Sequence, residues 1–285
     1  MNELIFDIKN LACSYNNLET VLEISDLNIY RGKFTVIIGV SGGGKSTLLE
    51  TLGLMNHTIR SGILEFFPSD QTDPVNFGEL WLKKDNVTIA AIQRNYFSFI
   101  FQNTNLMPNF TAYENICLTQ MLEGRSFEEA RHYAGEKMNE IGLPAIDEKK
   151  QVTNLSIGQR QRLAFVRAIT TNFEVIFGDE PTGNLDEFYA SELMNILKGI
   201  IRKKNASAII VSHNVDLACN YADQIILITK GDFDPTGKIL KENVFSLITD
   251  GNYRSWKDGN GQTVFNLKKR IVESLRPSNG SALNK

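Results

Sequence analysis

The 285-residue sequence has no excess of positive charge and few cysteines. Its 30 basic and 33 acidic residues leave a net charge of −3, whereas proteins that bind nucleic acids usually carry a basic surface. We therefore expect no nucleic-acid partner. The three cysteines, Cys13, Cys117 and Cys219, are far apart and lack the spacing of a metal site, which predicts reduced thiols in a cytosolic protein.

The sequence also lacks a long apolar run. A membrane-spanning helix needs about 20 consecutive apolar residues, and the longest uncharged stretch, 95–113, is broken by glutamine, asparagine and proline. The first ten residues, MNELIFDIKN, contain acids and no apolar core of a secretory signal. The sequence therefore predicts a cytoplasmic protein that touches a membrane only through a partner.

What the sequence does contain is an alternation of short β-rich runs and helical stretches. Several of the runs are almost wholly apolar, as in strands buried on both faces of a parallel sheet. The predicted strands cover 4–8, 35–38, 97–101, 175–177, 208–211 and 224–228. This alternation favours an α/β architecture.

Three segments depart from that alternation. Between residues 110 and 168 the strand pattern disappears, and 126–141 and 156–169 are typical of helices, which predicts a mostly helical subdomain at about 103–170. The polar segment 66–85, with two prolines, predicts a loop or small insertion. The pattern weakens after Gly231, and 277–285 is predicted to be disordered.

Residues 39–47, GVSGGGKST, fill the pattern G-x-x-x-x-G-K-[S/T] between a predicted strand and a predicted helix. Glycines let backbone N–H groups approach phosphates closely, and the positive end of the following helix adds a favourable field. Lys45 is expected to contact the β- and γ-phosphates, and the Ser46 hydroxyl to bind Mg²⁺. The predicted nucleotide-binding residues of this loop are Gly39, Ser41, Gly42, Gly43, Gly44, Lys45, Ser46 and Thr47.

Two carboxylates follow another apolar strand. Asp179 and Glu180 come directly after the run 175–178, and ligands of a parallel sheet bind beyond the carboxyl ends of its strands. Phosphoryl transfer needs a held Mg²⁺ ion and a positioned water. Asp179 is expected to bind Mg²⁺, either directly or through one of the ligands of the ion. Glu180 is expected to act as the general base.

Further motifs follow in a fixed order over residues 4–231, and together they resemble the nucleotide-binding subunit of ABC (ATP-binding cassette) transporters. Tyr15 lies 30 residues before Lys45. The later motifs are Phe101-Gln102, the signature Leu155-Ser156-Ile157-Gly158-Gln159, Asp179-Glu180-Pro181-Thr182, Asn184-Leu185-Asp186 and Val211-Ser212-His213.

The resemblance implies a role for each motif. Tyr15 stacks on adenine, Gln102 senses Mg²⁺ and couples to the membrane partner, and His213 is the switch histidine at the γ-phosphate. The signature residues Ser156, Gly158 and Gln159, with Asp186, face the ATP of an opposite subunit. Ser156 and Gln159 also have the spacing of a capping box, which predicts that Ser156 caps the helix running toward Ile169.

The resemblance also implies a fold and an assembly. The fold is a P-loop NTPase core with a mostly parallel sheet, an N-terminal antiparallel β part and an inserted helical subdomain. We expect an ABC ATPase domain over 1–232 and a C-terminal extension over 233–285. Two copies would enclose two Mg-ATP, and an integral membrane permease-type subunit would hold the dimer at the inner face of the cell membrane.

Two stretches narrow the branch of the family. FQNTNLMP at 101–108 with TAYEN at 111–115, and EPTGNLD at 180–186, resemble the branch of lipoprotein-release, macrolide-efflux and cell-division ATPases. Members of that branch often transmit ATP-driven dimer closure to a membrane subunit. The cargo is not determined by this chain.

Two other classes compete with a transport ATPase. A soluble ABC ATPase acting on DNA or ribosomes usually carries a long coiled coil or a second cassette, and this sequence has neither. A P-loop kinase or GTPase would lack the signature. One departure from the family pattern is Ile157, where glycine is usual, and we expect its branched side chain to reduce activity without abolishing it.

Overall fold

The computed structural model describes residues 3–15, 19–141, 143, 150–231, 233–251 and 253–276. The predicted disorder at 277–285 lies outside the described residues. The chain forms two compact units, unit 1 with Met1–Ile89 and Val211–Lys285, and unit 2 with Ala90–Ile210. The domain limits expected from the sequence, 1–232 and 233–285 with a helical subdomain at 103–170, remain predictions.

The elements alternate between strands and helices along much of the chain. In chain order the strands are β1 Leu4–Cys13, β2 Leu22–Tyr30, β3 Phe34–Gly39, β4 Ile59–Phe66, β5 Val75–Asn76, β6 Phe97–Ile100, β7 Val175–Asp179, β8 Ser207–Val211, β9 Gln224–Lys230, β10 Gly237–Ile239, β11 Val244–Asp250, β12 Tyr253–Asp258 and β13 Thr263–Val264. The helices are α1 Lys45–Leu52, α2 Phe77–Lys83, α3 Asn86–Tyr96, α4 Ala112–Leu122, α5 Phe127–Glu140, α6 Ile157–Ile169, α7 Glu187–Lys204, α8 Val215–Tyr221 and α9 Leu267–Leu275. All six strands predicted from the sequence are present.

The sheet of unit 1 carries the glycine-rich loop. Its strands lie in the order β5-β4-β1-β2-β10-β9-β3. β1 pairs antiparallel with β2 and β4, which confirms the antiparallel N-terminal part. β3 pairs parallel with β9 from Thr35↔Gln224 to Gly39↔Ile228. All six residues of β3 are buried, as expected for an apolar strand covered on both faces.

Unit 2 contains a shorter sheet and a group of helices. β8, β7 and β6 lie side by side in that order, and β6 pairs parallel with β7. The ring of Phe177 packs against Phe97 and Phe99 with centroids 5.2 and 5.3 Å apart. The described residues between 110 and 168 contain helices and one isolated β-bridge, Thr111↔Gln151, which agrees with the predicted loss of strands.

The helices of unit 2 begin where the sequence signals them. α4, α5 and α6 each start at a capping box, formed by Thr111 with Glu114, Ser126 with Glu129, and Ser156 with Gln159. Each box satisfies two backbone N–H groups that a bare helix end would leave without partners. Within the described residues, no helix combines the length and the apolar character that crossing a membrane requires.

Of the two predictions for 66–85, a loop or a small insertion, the loop is wrong for the second half of the segment. The structure places β5 and helix α2 there. The Asn76 side chain caps α2 by accepting the N–H of Glu79 at 3.1 Å, and Phe77 packs near Phe6 and Phe66 with centroids 6.1 and 6.0 Å apart. Helix α2 (FGELWLK) is mostly apolar but only seven residues long, and its buried Phe77 packs on this cluster, a contact that the local sequence does not reveal.

The C-terminal extension is folded where the sequence pattern weakens. β11 pairs antiparallel with β9 and with β12, so it continues the sheet of unit 1. Phe245 of β11 is fully buried, and the Arg270 guanidinium lies 5.1 Å from its ring centroid. Only two of the seven residues of β11 and one of the six residues of β12 are buried, which explains why their apolar pattern is faint.

The cysteines agree with the sequence prediction. None of the three forms a disulfide, and Cys13 and Cys117 are buried. Burial raises the pKa of the Cys13 thiol to about 11, because a thiolate in apolar surroundings loses its hydration. Cys13 is therefore an unreactive core residue.

The packing of the extension can be tested with two phenylalanines. We expect Phe245→Ala to lower the free energy of unfolding by about 3–5 kcal/mol, the usual cost of deleting a buried ring. Phe265→Ala is the matched control, since that ring is 87% exposed, and it should change stability by less than about 0.5 kcal/mol. Urea unfolding measures both, and equal effects would show that the extension does not pack as described.

Candidate functional site

In unit 1 the glycine-rich loop joins the end of β3 to the start of α1. Gly44 precedes α1 with φ 93°, a left-handed conformation that glycine adopts without steric cost. The N–H of Gly43 donates to the Val40 carbonyl at 3.1 Å and closes a turn. The buried Lys45 ammonium donates to the carbonyls of Gly39 and Val40, each at 3.0 Å. These two hydrogen bonds hold the Lys45 ammonium group against the loop.

A glycine outside the motif lets strand β10 approach this loop. A Cβ atom on Gly237, the first residue of β10, would lie 1.9 Å from the Gly43 carbonyl oxygen. The backbone of β10 therefore packs directly on the loop at Gly237. Any larger residue at this position would push the loop and the strand apart. Sequence reasoning missed Gly237, because its partner is almost 200 residues away and no local pattern marks it.

Tyr15 contacts the same loop through its hydroxyl group. The hydroxyl donates to the Glu50 carboxylate at 2.7 Å and lies 3.2 Å from the Thr47 hydroxyl. Burial of the hydroxyl, together with the negative charge of Glu50, raises the pKa of Tyr15 to about 12. The residue as a whole is 52% exposed.

His213 follows β8 and lies beside the strand that leads into the loop. The N–H of the preceding Ser212 donates to the Ile37 carbonyl of β3 at 3.1 Å. The following Asn214 caps α8 by accepting the N–H of Leu217 at 2.9 Å. His213 itself is exposed, and these two neighbours fix the backbone on either side of it.

In unit 2 the predicted carboxylates stand at the end of β7. Asp179 is the last residue of the strand, and both acids are half-buried. Glu180 has φ 47°, which costs a side-chain-bearing residue roughly 1–2 kcal/mol. The N–H of Gly183 donates to the Glu180 carbonyl at 3.0 Å. The chain thus turns sharply at the proposed base.

Gly178 permits this turn. A Cβ atom there would lie 2.7 Å from Ile210 Cδ1 and 3.2 Å from Pro181 Cγ. Pro181 therefore folds back onto the strand only because residue 178 has no side chain. The sequence analysis did not single out this glycine, although a glycine inside an apolar strand run is a sign of close approach.

The predicted capping box of the signature is confirmed. The Ser156 hydroxyl accepts the N–H of Gln159 at 3.2 Å, and the Gln159 carbonyl oxygen accepts the N–H of Ser156 at 3.0 Å. Ile157 is the first residue of α6, is 60% exposed and has no positive φ. Isoleucine is therefore accommodated without backbone strain.

Gly158 and Asp186 lie on neighbouring segments of unit 2. A Cβ atom on Gly158 would lie 3.6 Å from the Leu185 side chain. The adjacent Asp186 caps α7 by accepting the N–H of Tyr189 at 3.1 Å. The structure thus brings the signature and the Asn184-Leu185-Asp186 motif together, while giving Asp186 a structural role that the resemblance did not imply.

The loop after Gln102 is held by two side chains that sequence reasoning missed. Arg167 of α6 donates to the carbonyls of Thr104 and Asn105 at 2.9 and 2.7 Å. The Asn115 side chain accepts the N–H of Met107 at 2.7 Å. Gln102 itself is exposed at the start of this braced loop.

Oxygen atoms dominate the side chains expected to hold a metal. Ser46, Gln102 and Asp179 offer hydroxyl, amide and carboxylate oxygens, which are the ligands that Mg²⁺ accepts. Among the described residues there is no cluster of three or more His, Cys, Asp or Glu side chains that would hold a metal alone. The chemistry of these donors fits Mg²⁺.

Comparison with known proteins agrees with this geometry. The sequence profile of the ABC transporter family matches residues 22–183. The lipoprotein-releasing system ATP-binding protein LolD of Rickettsia bellii is 32% identical over 225 residues, 76% of this chain and 92% of that protein. The macrolide export ATP-binding/permease protein MacB of Pasteurella multocida is 30% identical over 235 residues, which is 81% of this chain and 34% of MacB.

Solved structures show the same fold. A bacterial ABC transporter cassette, solved as a dimer, superimposes with a TM-score of 0.68 at 30% identity, over 78% of this chain and 94% of that one. Its post-hydrolysis state with ADP and Pi gives a TM-score of 0.71 at 28% identity, over 86% and 100% of the two chains. The predicted α/β P-loop fold is confirmed.

This chain belongs to the ABC transporter family. It is an ATP-binding subunit of that family, and its enzymatic activity is ATP hydrolysis. The branch predicted from the sequence, which includes lipoprotein-release and macrolide-efflux ATPases, is also confirmed.

A functional role of Ser156 can be distinguished from its structural role as a helix cap by comparing it with Ser126. Ser156→Ala and Ser126→Ala each remove a capping-box hydroxyl, and each should lower the free energy of unfolding by about 1 kcal/mol. We expect only Ser156→Ala to lower ATP turnover, by roughly tenfold, because one phosphate hydrogen bond is worth about 1.5 kcal/mol. Equal turnover in the two variants would contradict a role for Ser156 beyond capping.

Proposed function

We propose that two copies of this chain enclose two Mg-ATP molecules and that their closure drives an integral membrane subunit. The observation that carries the proposal is the exposed, capped N-terminus of α6. Its free N–H groups and positive field suit a phosphate, and Ile157 at this end is 60% exposed. In a twofold dimer each chain supplies this helix end to the nucleotide of its partner.

On the nucleotide's own chain, the glycine-rich loop holds the phosphates. Lys45 supplies a buried positive charge, and Gly42 and Gly44 are proposed to turn their backbone N–H groups toward the phosphates. Ser46, Gln102 and Asp179 are the proposed ligands of Mg²⁺, which when bound neutralises charge on the phosphates. Tyr15, half exposed beside Thr47, is the proposed platform for adenine.

Glu180 is the proposed general base. Its carboxylate would orient the attacking water and accept its proton, and the sharp turn at φ 47° sets where the side chain points. His213 is the proposed contact to the γ-phosphate. Asp186, Gly158 and Gln159 are proposed to complete the surface that receives the partner's ATP.

The membrane subunit is the proposed recipient of this motion. The relatives named LolD belong to lipoprotein-releasing systems, and MacB combines an ATP-binding part with a permease. We therefore propose that the chain is peripheral on the cytoplasmic face of the membrane through a permease-type partner. Purification of the tagged chain from native membranes tests this, and fractionation with ribosomes or DNA instead would support the competing class.

The base assignment is tested by Glu180→Gln. The amide keeps the shape of the side chain but cannot accept a proton, so steady-state ATP hydrolysis should fall by roughly 10²–10⁴-fold. ATP affinity should stay within about twofold, because the phosphate-binding groups are unchanged. A dimer that accumulates with ATP is expected by light scattering, and turnover near that of the unmodified chain would refute the assignment.

The phosphate-binding role of the loop is tested by Lys45→Ala. Losing a charged hydrogen-bond donor should weaken ATP binding by roughly 10- to 100-fold, which corresponds to about 1.5–3 kcal/mol. Lys33→Ala is the control for loss of one positive charge elsewhere in unit 1 and should bind ATP normally. Titration calorimetry measures both, and an unchanged affinity in Lys45→Ala would contradict the proposal.

A further inference from the structure

Gln161 lies on the signature helix α6 and is almost completely buried, with 1% exposure. Its side-chain Nε2 donates to the backbone carbonyl of Pro181 at 2.7 Å. Only the NH₂ half of an amide can face a carbonyl at that distance, so the orientation of the side chain is fixed. This hydrogen bond joins α6 to the loop that follows β7.

The bonded carbonyl belongs to the residue after Glu180. Proline fixes its own φ through its ring, and the Pro181 ring also packs at the position a Gly178 side chain would fill. Holding the Pro181 carbonyl then fixes the remaining backbone rotation of that residue. On the other side, Glu180 is preceded by β7, which is paired with β6. The left-handed backbone of Glu180 is therefore fixed from both sides.

The rest of the Gln161 amide is not satisfied. Its Oε1 is buried and has no hydrogen-bond partner among the described residues. A buried acceptor without a partner is costly, and an apolar side chain of the same shape would avoid that cost. Gln161 therefore contributes little net stability. The effect of its amide is to hold the Pro181 carbonyl in place.

We propose that Gln161 is a positioning residue that sets the orientation of Glu180 through the Pro181 carbonyl. The proposal rests on the proposed role of Glu180 as the general base. Because Ser156 caps the start of α6, the helix whose N-terminus is proposed to face a phosphate also holds the loop that carries the proposed base. The signature and the base are thus mechanically connected within one chain.

A second buried glutamine provides a matched control. Gln120 of α4 is fully buried, its Nε2 donates to the Thr170 carbonyl at 2.5 Å, and its Oε1 also lacks a partner among the described residues. Thr170 lies at the opposite end of α6. The two glutamines therefore have the same chemistry, but only Gln161 contacts the loop of Glu180.

The experiment compares Gln161→Met with Gln120→Met in the full chain. Methionine keeps the length of the side chain and removes the donor. Both variants should show a similar and small change in thermal stability. We expect kcat for ATP to fall roughly 10- to 100-fold in Gln161→Met, because a small misplacement of a reacting group has effects of that size. KM in that variant, and both constants in Gln120→Met, should stay within about twofold.

Hydrogen exchange of the nucleotide-free protein gives a readout independent of turnover. In Gln161→Met, the amide of Gly183, bonded to the Glu180 carbonyl at 3.0 Å, should exchange faster than in the unmodified chain. In Gln120→Met it should not. Unchanged exchange in Gln161→Met, or the same acceleration in both variants, would overturn the proposal.

Combining the variants with Glu180→Gln separates this proposal from the base assignment. If Gln161 acts through Glu180, Gln161→Met should cause no further loss in the Glu180→Gln background. A full additional loss there would mean that Gln161 acts by another route and would overturn the proposal. Full turnover in the single variant Glu180→Gln would refute the base assignment but would not test the contact made by Gln161. Gln161→Leu, a smaller apolar replacement, takes the place of Gln161→Met if the methionine variant does not fold.

Discussion

The loops that carry Gln102 and Glu180 have little regular structure of their own, and both are held by hydrogen bonds from one helix, α6. Arg167 near its C-terminal end binds the carbonyls of Thr104 and Asn105. Gln161 in its first half binds the carbonyl of Pro181. A single helix of 13 residues therefore links both loops to the capped end at Ser156.

In unit 1 the corresponding constraint is close contact between backbones. The glycine-rich loop rests on β9 at Gly39, and β10 reaches it through Gly237. Such contacts leave no room for side chains, so β9 and β10 hold the backbone of the loop at these points. β10 also pairs with both β2 and β9. A strand that follows Gly231 in the sequence therefore supports the glycine-rich loop.

Much of this arrangement follows from local sequence, and the remainder depends on distant contacts. The strands 35–38 and 175–177, the glycine-rich loop and the Ser156 cap are each determined within a few residues, and sequence reasoning found them. Helix α2 was missed because it is stabilised by Phe6 and Phe66 rather than by its own pattern. The role of Gln161 was not found from the sequence, because the Pro181 carbonyl that it binds becomes its neighbour only after folding.

The positions of the aromatic residues have a practical consequence for studying how the protein unfolds. The chain contains two tryptophans, Trp81 and Trp256, and both belong to unit 1. Trp81 stacks on His57 with ring centroids 5.3 Å apart, so its emission is sensitive to loss of that packing. Indole fluorescence therefore monitors unit 1 alone, whereas circular dichroism detects the helices of both units. Coincident transitions by the two methods would show that the chain melts as one cooperative body.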